Sequence, residues 1–303
     1  MFRTSPGRRA ILGLAVAVAL TTSVAACGSE SGDSTGAGST PAASASADTS
    51  LADKVPADIK SAGKLVIGTD STYAPSEFLD ADGKTVIGFD VDLFNAVAQK
   101  LGLTTEWQSA TFDSIIPGVT SKKYGAGVSS FTINKDRLKQ VTMVSYFNAG
   151  TQWAAKTGAT IDPADACGKK IAVQTSTVQA DDIAARSKKC TDAGKAKITV
   201  DQYQAQSDAT NAVVTGKDDA MLADSPVCAY AVKQTNGQLA LLGDIYDSAP
   251  YGYVLPKDQA DTMAVAVQGA LKALIADGTY KTILAKWGVD AGAITDPTVN
   301  PTV

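Results

Sequence analysis

Residues 127–137 read GVSSFTINKDR, in which three hydroxyl side chains, Ser129, Ser130 and Thr132, precede a single arginine, Arg137. Such a grouping has the chemistry of a carboxylate site. A planar guanidinium meets a carboxylate bidentately in a way lysine does not, and small donors complete the hydrogen bonds. The plainer reading of the same residues is a strand running into a Ser/Thr/Asn-capped helix, with Arg137 solvated in its first turn. The rest of the chain decides between them.

Other chemistries are excluded by composition. The chain has no histidine, which removes Ser-His-Asp and Cys-His catalysis, His-ligated zinc and a histidine pH switch. GxSxG, Walker A and CxxC motifs are absent. The stretch DADG at 80–83 lacks the later ligands of a calcium loop and reads as an Asp-Gly hairpin turn. Against 27 basic residues stand 31 acidic ones, and no basic run occurs, which argues against nucleic acid as a partner.

The N-terminus reads as a targeting signal rather than structure. MFRTSPGRR is basic, AILGLAVAVAL is apolar, and small residues precede Cys27, the three parts of a secretory signal over residues 1–26. The apolar run is shorter than the roughly 20 residues of a membrane span. VAAC is similar to a bacterial lipobox, which implies acylation of Cys27 after cleavage; Arg8-Arg9 is only a weak hint of twin-arginine export. The Ser/Thr/Ala/Gly tract that follows has little to bury, so residues 27–55 are assigned as a lipidated cysteine and disordered tether. Without residues 1–26 the net charge is −7. Of the remaining cysteines, Cys167 and Cys190 bracket one βα segment and are predicted to form a disulfide, while Cys228 sits in an apolar run as a buried small hydrophobe.

The elements that must position the cluster alternate. KLVIGTD, TTEWQSA, GAGVSSFT, KKIAVQTST, AKITVDQY and DAMLADSP read as strands; VIGFDVDLFNAVAQKLG, with Asp90 as N-cap and Gly102 as stop, FDSIIPGVTSKKYG, VQADDIAARSKKC and SDATNAVVTGK read as helices. This predicts an α/β protein with two successive mostly parallel units. A late helical piece, MAVAVQGALKALIADGTYKTILAKWG, breaks at Asp277-Gly278 and must pack back on one of them.

At this point the chain resembles the family 3 extracellular solute-binding proteins, the polar amino-acid receptors of ABC importers. KLVIGTDSTYAP, VIGFDVDLFNAVAQKLG, FDSIIPGVTSKKYG, SSFTINKDR, GKKIAVQTST, DDAMLADSPVCAY and ALIADGTYKTILAKWG fall in that family's order across roughly residues 58–290. The resemblance implies a bilobed clamp of the periplasmic-binding-protein type II, two α/β lobes joined by two hinge strands. Lobe 1 would comprise residues 56–152 and 250–303, and lobe 2 residues 153–249. It also implies that Arg137, helped by Thr132, Ser176 and Thr177, grips the α-carboxylate of an amino acid, and that Asp224 accepts its ammonium. Ser129 and Ser130 would serve ammonium and side-chain contacts, and Asp70, Tyr73 and Phe112 would meet the ligand side chain.

With Arg137 and Asp224 cancelling the zwitterion, Asp70 is left unmatched, which favours a cationic or amide side chain; Glu77 reads as negative potential at the mouth or a solvated rim charge. Ligand would dock on lobe 1 and Ser176, Thr177 and Asp224 would close over it. Ser76, Gly125 and Thr175 stand where the family usually has an aromatic, Asp and Gly, and MVSYF replaces its usual FSxPY. These departures bear on the ligand more than on the fold. The expected product is a monomeric, non-enzymatic, extracytoplasmic receptor without cofactor or metal, anchored to the bilayer through Cys27 and serving an ABC permease. The same fold also hosts sensors, adaptors and periplasmic dehydratases.

Overall fold

The computed structural model describes residues 47–303. The signal, the lipobox cysteine and most of the tether lie outside the described residues. The tether's expected end at residue 55 is corrected. Asp48 caps α1 (Thr49–Ala52), its carboxylate accepting from the Ser50 and Leu51 amides; Leu51 packs against Gly269, and Val55 is buried in the main core. Apolar side chains this close to the tether find a surface to cover, which a Ser/Ala-rich segment alone does not reveal.

After α2 (Ala57–Ala62) and β1 (Lys64–Thr69), a small antiparallel sheet forms from β2 (Thr72–Tyr73), β3 (Glu77–Leu79) and β4 (Val86–Ile87). Between β3 and β4 is the Asp-Gly turn, with Asp82 accepting from the Lys84 and Thr85 amides. Next come α3 (Phe89–Lys100), β5 (Thr104–Ser109), α4 (Phe112–Thr120), β6 (Ala126–Gly127), α5 (Lys135–Gln140) and the long β7 (Thr142–Lys156). The second series is β8 (Lys170–Gln174), α6 (Val178–Asp192), β9 (Thr199–Tyr203), α7 (Gln206–Thr215), β10 (Ala220–Asp224) and α8 (Ser225–Gln234). A second long strand, β11 (Leu239–Leu255), precedes α9 (Met263–Ala276) and α10 (Thr279–Trp287).

The main sheet runs β5-β1-β6-β11-β7-β10-β8-β9, so the two long strands stand at its centre with one α/β series on each side. The first part of β7, Thr142–Phe147, pairs with the end of β11, and its last part, Thr151–Ala155, pairs with β10. Register slips three times along the β7–β11 ladder, from Leu242 to Gly252, and bulges of this kind bend and locally loosen a pair. The late helices are placed by burial. Met263, Val267, Leu271, Leu274 and Leu284 share one core with Leu65 and Ile67 of β1 and with Phe94 and Val97 of α3.

Two local expectations change, and one unassigned run is placed. The strand read from GAGVSSFT contracts to Ala126–Gly127, because Ser130 takes a left-handed backbone (φ 47°) and carries the hydroxyl run out of the sheet. Asp90 is not the cap of α3: Gly88 is, and Asp90 lies in the first turn, fully buried. The apolar run around Cys228 is a helix, α8, started by Pro226. Cys228 is buried as expected, and the sulfurs of Cys167 and Cys190 lie at bonding distance with Cα atoms 5.7 Å apart.

Gly88 ties the small sheet to α3. Its φ is 140°, and a Cβ there would meet the Ser76 carbonyl oxygen at 2.0 Å. Gly88→Ala is expected to lower stability by about 2 kcal/mol or more, read as a fall in the urea midpoint; an unchanged midpoint would mean that this junction bears no strain.

Candidate ligand-binding site

The capped-helix reading of GVSSFTINKDR holds at the backbone. Asn134 does cap α5, accepting from the Arg137 amide at 2.9 Å. The Arg137 side chain, however, turns inward and is 9% exposed. Its guanidinium lies 5.4 Å from the ring centroids of both Phe112 and Phe131, which stack on each other. Nη1 donates to the Thr132 carbonyl at 2.7 Å, and Nη2 reaches across to the Ser176 carbonyl at 3.3 Å. Burial pulls the Arg137 pKa down to about 10, opposed by the nearby Asp224 charge. At neutral pH the group is therefore a buried cation held by aromatic faces and carbonyl oxygens.

The facing wall is built from the ends of β8 and β10. Asp224 is the last residue of β10 and stands at the N-cap of α8, yet its carboxylate makes no capping bond. Instead Oδ2 accepts from the Tyr73 hydroxyl at 2.7 Å and Oδ1 from Gln179 Nε2 at 2.8 Å. Burial pushes the Asp224 carboxyl up, while Tyr73, Gln179 and the Arg137 charge pull against it. Beside it, Thr177 caps α6 by accepting from the Ala180 amide, and its hydroxyl donates to the Gln174 carbonyl. Ser176 adopts φ 60° and points its side chain to solvent, lending the site its carbonyl rather than its hydroxyl.

Asp70 is not the unmatched acid that the sequence suggested. Oδ1 accepts from the Thr72 amide and hydroxyl at 3.1 and 2.7 Å, and Oδ2 from the Phe112 amide at 3.1 Å and Gln174 Nε2 at 2.7 Å. A carboxylate offers about four such lone-pair sites, so Asp70 is fully engaged. Three of its donors lie on its own side of the cleft; Gln174, at the end of β8, comes from the other. Thr72 also accepts from the Gln206 amide at 3.1 Å. Together with Tyr73–Asp224 and Arg137–Ser176, these bonds tie the two walls directly.

Ser129 and Ser130 are committed beneath the cleft. Ser129 Oγ accepts from the Asp70 amide and donates to Glu77, and the Ser130 amide and hydroxyl both donate to Asp90. Glu77 is therefore corrected as well: it is fully buried, neither a mouth charge nor a solvated one.

Of the residues expected from the sequence, Tyr73, Phe112, Ser130, Thr132, Arg137, Thr177 and Asp224 line one cleft. Asp70 and Ser129 lie directly behind it. Gln174, Val178 and Gln179 complete the lining and were missed. The available signal was Gln174 itself, a polar residue closing the otherwise buried apolar strand KIAVQ. No group of three or more His, Cys, Asp or Glu side chains able to hold a metal occurs among the described residues, and no helix there is long and apolar enough to cross a membrane.

Comparison with known proteins gives the family and the fold. The model of the bacterial extracellular solute-binding proteins, family 3, matches residues 65–290. The arginine-binding protein ArgT of Corynebacterium glutamicum is 36% identical over 249 residues, covering 81% of each chain. An ancestral arginine-binding protein solved with arginine superposes with a TM-score of 0.68 at 33% identity, covering 74% of this chain and 98% of that one. An ancestral arginine-binding protein solved with glutamine gives 0.67 at 32% identity, covering 75% and 98%. The chain belongs to the family 3 extracellular solute-binding proteins, and its fold is the bilobed α/β clamp with two connecting strands.

A carboxyl whose native pKa is raised binds more protons native than unfolded above about pH 4, so stability falls as pH rises toward the native value. Asp224 is such a group. Asp224→Asn, which removes that carboxyl, is thus expected to flatten the fall of melting temperature with rising pH in the unliganded protein, while weakening amino-acid binding by about a hundredfold or more. An unchanged pH dependence together with intact binding would contradict this assignment.

Proposed function

We propose that this chain is the extracytoplasmic substrate-binding component of an ABC importer, taking a cationic or amide L-amino acid and passing it to a membrane permease. One observation carries the reading: a buried guanidinium, Arg137, and a buried carboxylate, Asp224, face one cleft from opposite walls. A free amino acid carries the complementary pair of charges on one carbon, and both must be paired once desolvated. In this reading Arg137, with Thr132 and Thr177, holds the α-carboxylate, Ser176 supports the guanidinium through its carbonyl, and the start of α6 adds its helix N-terminus. Asp224 holds the ammonium with Tyr73, and Ser129 and Ser130 support that end. Phe112 and Tyr73 flank the side chain, whose distal N–H groups go to Asp70.

The amide donor already on Asp70, Gln174 Nε2, supports that last assignment. A ligand guanidinium, ammonium or amide replaces the same kind of bond. The relatives described as arginine-binding, and the related structure holding glutamine, fit this ligand class. Lobe 1 is assigned as residues 56–152 and 250–303 and lobe 2 as 153–249, with β7 and β11 as the hinge. The ligand favours closure through its contacts with lobe 2. Residues 1–26 act as a removed signal, acylated Cys27 anchors a monomer at the outer face of the membrane, and Cys167–Cys190 is a disulfide. No enzymatic activity is assigned.

Calorimetric titration of the refolded, ligand-stripped protein with arginine, lysine, ornithine, glutamine, glutamate and the remaining amino acids tests this. Binding confined to cationic or amide ligands is expected, and Arg137→Lys should weaken it by about a hundredfold. Tight glutamate binding with no response to arginine or glutamine would overturn the ligand class. No binding at all would overturn the clamp, and turnover of a cyclic dienyl acid would move the assignment to an enzyme.

A further inference from the structure

Under the cleft floor lie two carboxyl groups that the zwitterion scheme does not use. Glu77, on β3, and Asp90, in the first turn of α3, are both fully buried. Glu77 Oε1 accepts from Ser129 Oγ at 2.9 Å. Asp90 Oδ2 accepts from the Ser130 amide at 3.1 Å, the Ser130 hydroxyl at 3.3 Å and the Tyr146 hydroxyl at 2.6 Å. The two remaining oxygens, Glu77 Oε2 and Asp90 Oδ1, are buried with no hydrogen-bond partner, and the two carboxyls are near enough for each to act directly on the other's protonation. A bond between two carboxyl groups requires a proton, because two carboxylates only accept.

We propose that Glu77 and Asp90 share one proton, carried on Glu77, and that this acid–carboxylate pair positions Ser129 and Ser130 for ligand binding. The chain of contacts is continuous. The acid holds Ser129, which fixes the Asp70 amide at 3.0 Å; the carboxylate holds Ser130 in its left-handed backbone, where it lines the cleft. The groups acting on the pair are Asp70 behind β1, Ser129 and Ser130 after β6, Tyr146 on β7 and Tyr253 on β11. None of them is a cation that could stabilise a second negative charge. Burial pushes both carboxyls above their ordinary range, Glu77 the further because the Asp90 charge adds to it. Loss of the proton leaves two buried like charges in contact, which separate. The two serines move with them.

Both serines and Asp70 belong to the proposed amino-acid site, so the binding half of this inference rests on that reading; the proton does not. The chain has three glutamates, Glu30, Glu77 and Glu106, so carboxyl-13C glutamate labelling of the native protein gives three assignable signals. Glu77 should remain at the protonated position at pH 7, where Glu106, whose pKa Lys64 lowers, is ionised. Titration of Glu77 together with Glu106 overturns the proposal, whether or not any ligand binds.

The second measurement uses L-arginine and Glu77→Gln. Gln keeps the acceptor for Ser129 and a donor for Asp90, but cannot ionise. The variant should bind within about threefold of the native protein at pH 7. Native affinity should fall by about tenfold more than that of the variant once the pH is raised far enough for the Glu77 carboxyl signal to move, a comparison that cancels titration of the ligand's own amine. Equal alkaline loss in both proteins overturns the positioning role. So does weak binding by a folded Glu77→Gln at pH 7.

Discussion

The structure is organised around burying ionisable groups next to one cleft. Arg137, Asp70, Asp224, Glu77 and Asp90 are all withdrawn from water, and an isolated buried charge costs far more than a domain's net stability leaves room for. Each must therefore be paired, hydrogen-bonded or protonated. Asp70 is met by four donors, Asp224 by a phenol, an amide and the field of Arg137, Glu77 by Ser129, and Asp90 by Ser130 and Tyr146. Arg137 alone has only carbonyl oxygens and aromatic faces against its fork, and neutral acceptors leave an anionic partner still favourable.

That constraint explains the local irregularities. Asp224 stands at a helix cap without capping, and Asp90 sits inside a first turn, because both carboxylates are needed inward. Ser130 and Ser176 adopt left-handed backbones at the two edges of the cleft, where a carbonyl or hydroxyl has to be turned toward the site. The bonds that join the walls are few and polar: Gln174 to Asp70, Tyr73 to Asp224, Ser176 to Arg137 and Gln206 to Thr72. Each net hydrogen bond contributes about 1 kcal/mol. In the proposed reading, a ligand that replaces two or three of them with charged contacts shifts the balance between open and closed clamps, and the slipped register between β7 and β11 offers the place to bend.

Much of this was legible in the sequence. Alternating strand and helix patterns gave the two α/β series, and the apolar spacing of residues 263–287 gave the late helices that cover β1 and α3. Most of the residues that line the cleft were named through the family resemblance of the motifs that carry them. What the sequence hid were the partners of polar groups. Gln174 and Gln179 belong to no motif of charge or spacing, and whether Glu77 is solvated depends on the fold bringing α3 against β3, across a hairpin. Alternation patterns also carried GAGVSSFT too far as a strand, since nothing in Ser-Ser announces a left-handed residue.

The most direct test is a crystal structure of the protein with bound arginine. The account places the α-carboxylate on the Arg137 guanidinium, the ammonium on Asp224, and the ligand guanidinium on Asp70 with Gln174 displaced. A ligand bound in the reverse sense, or one that leaves Gln174 on Asp70 and touches neither Arg137 nor Asp224, would contradict it.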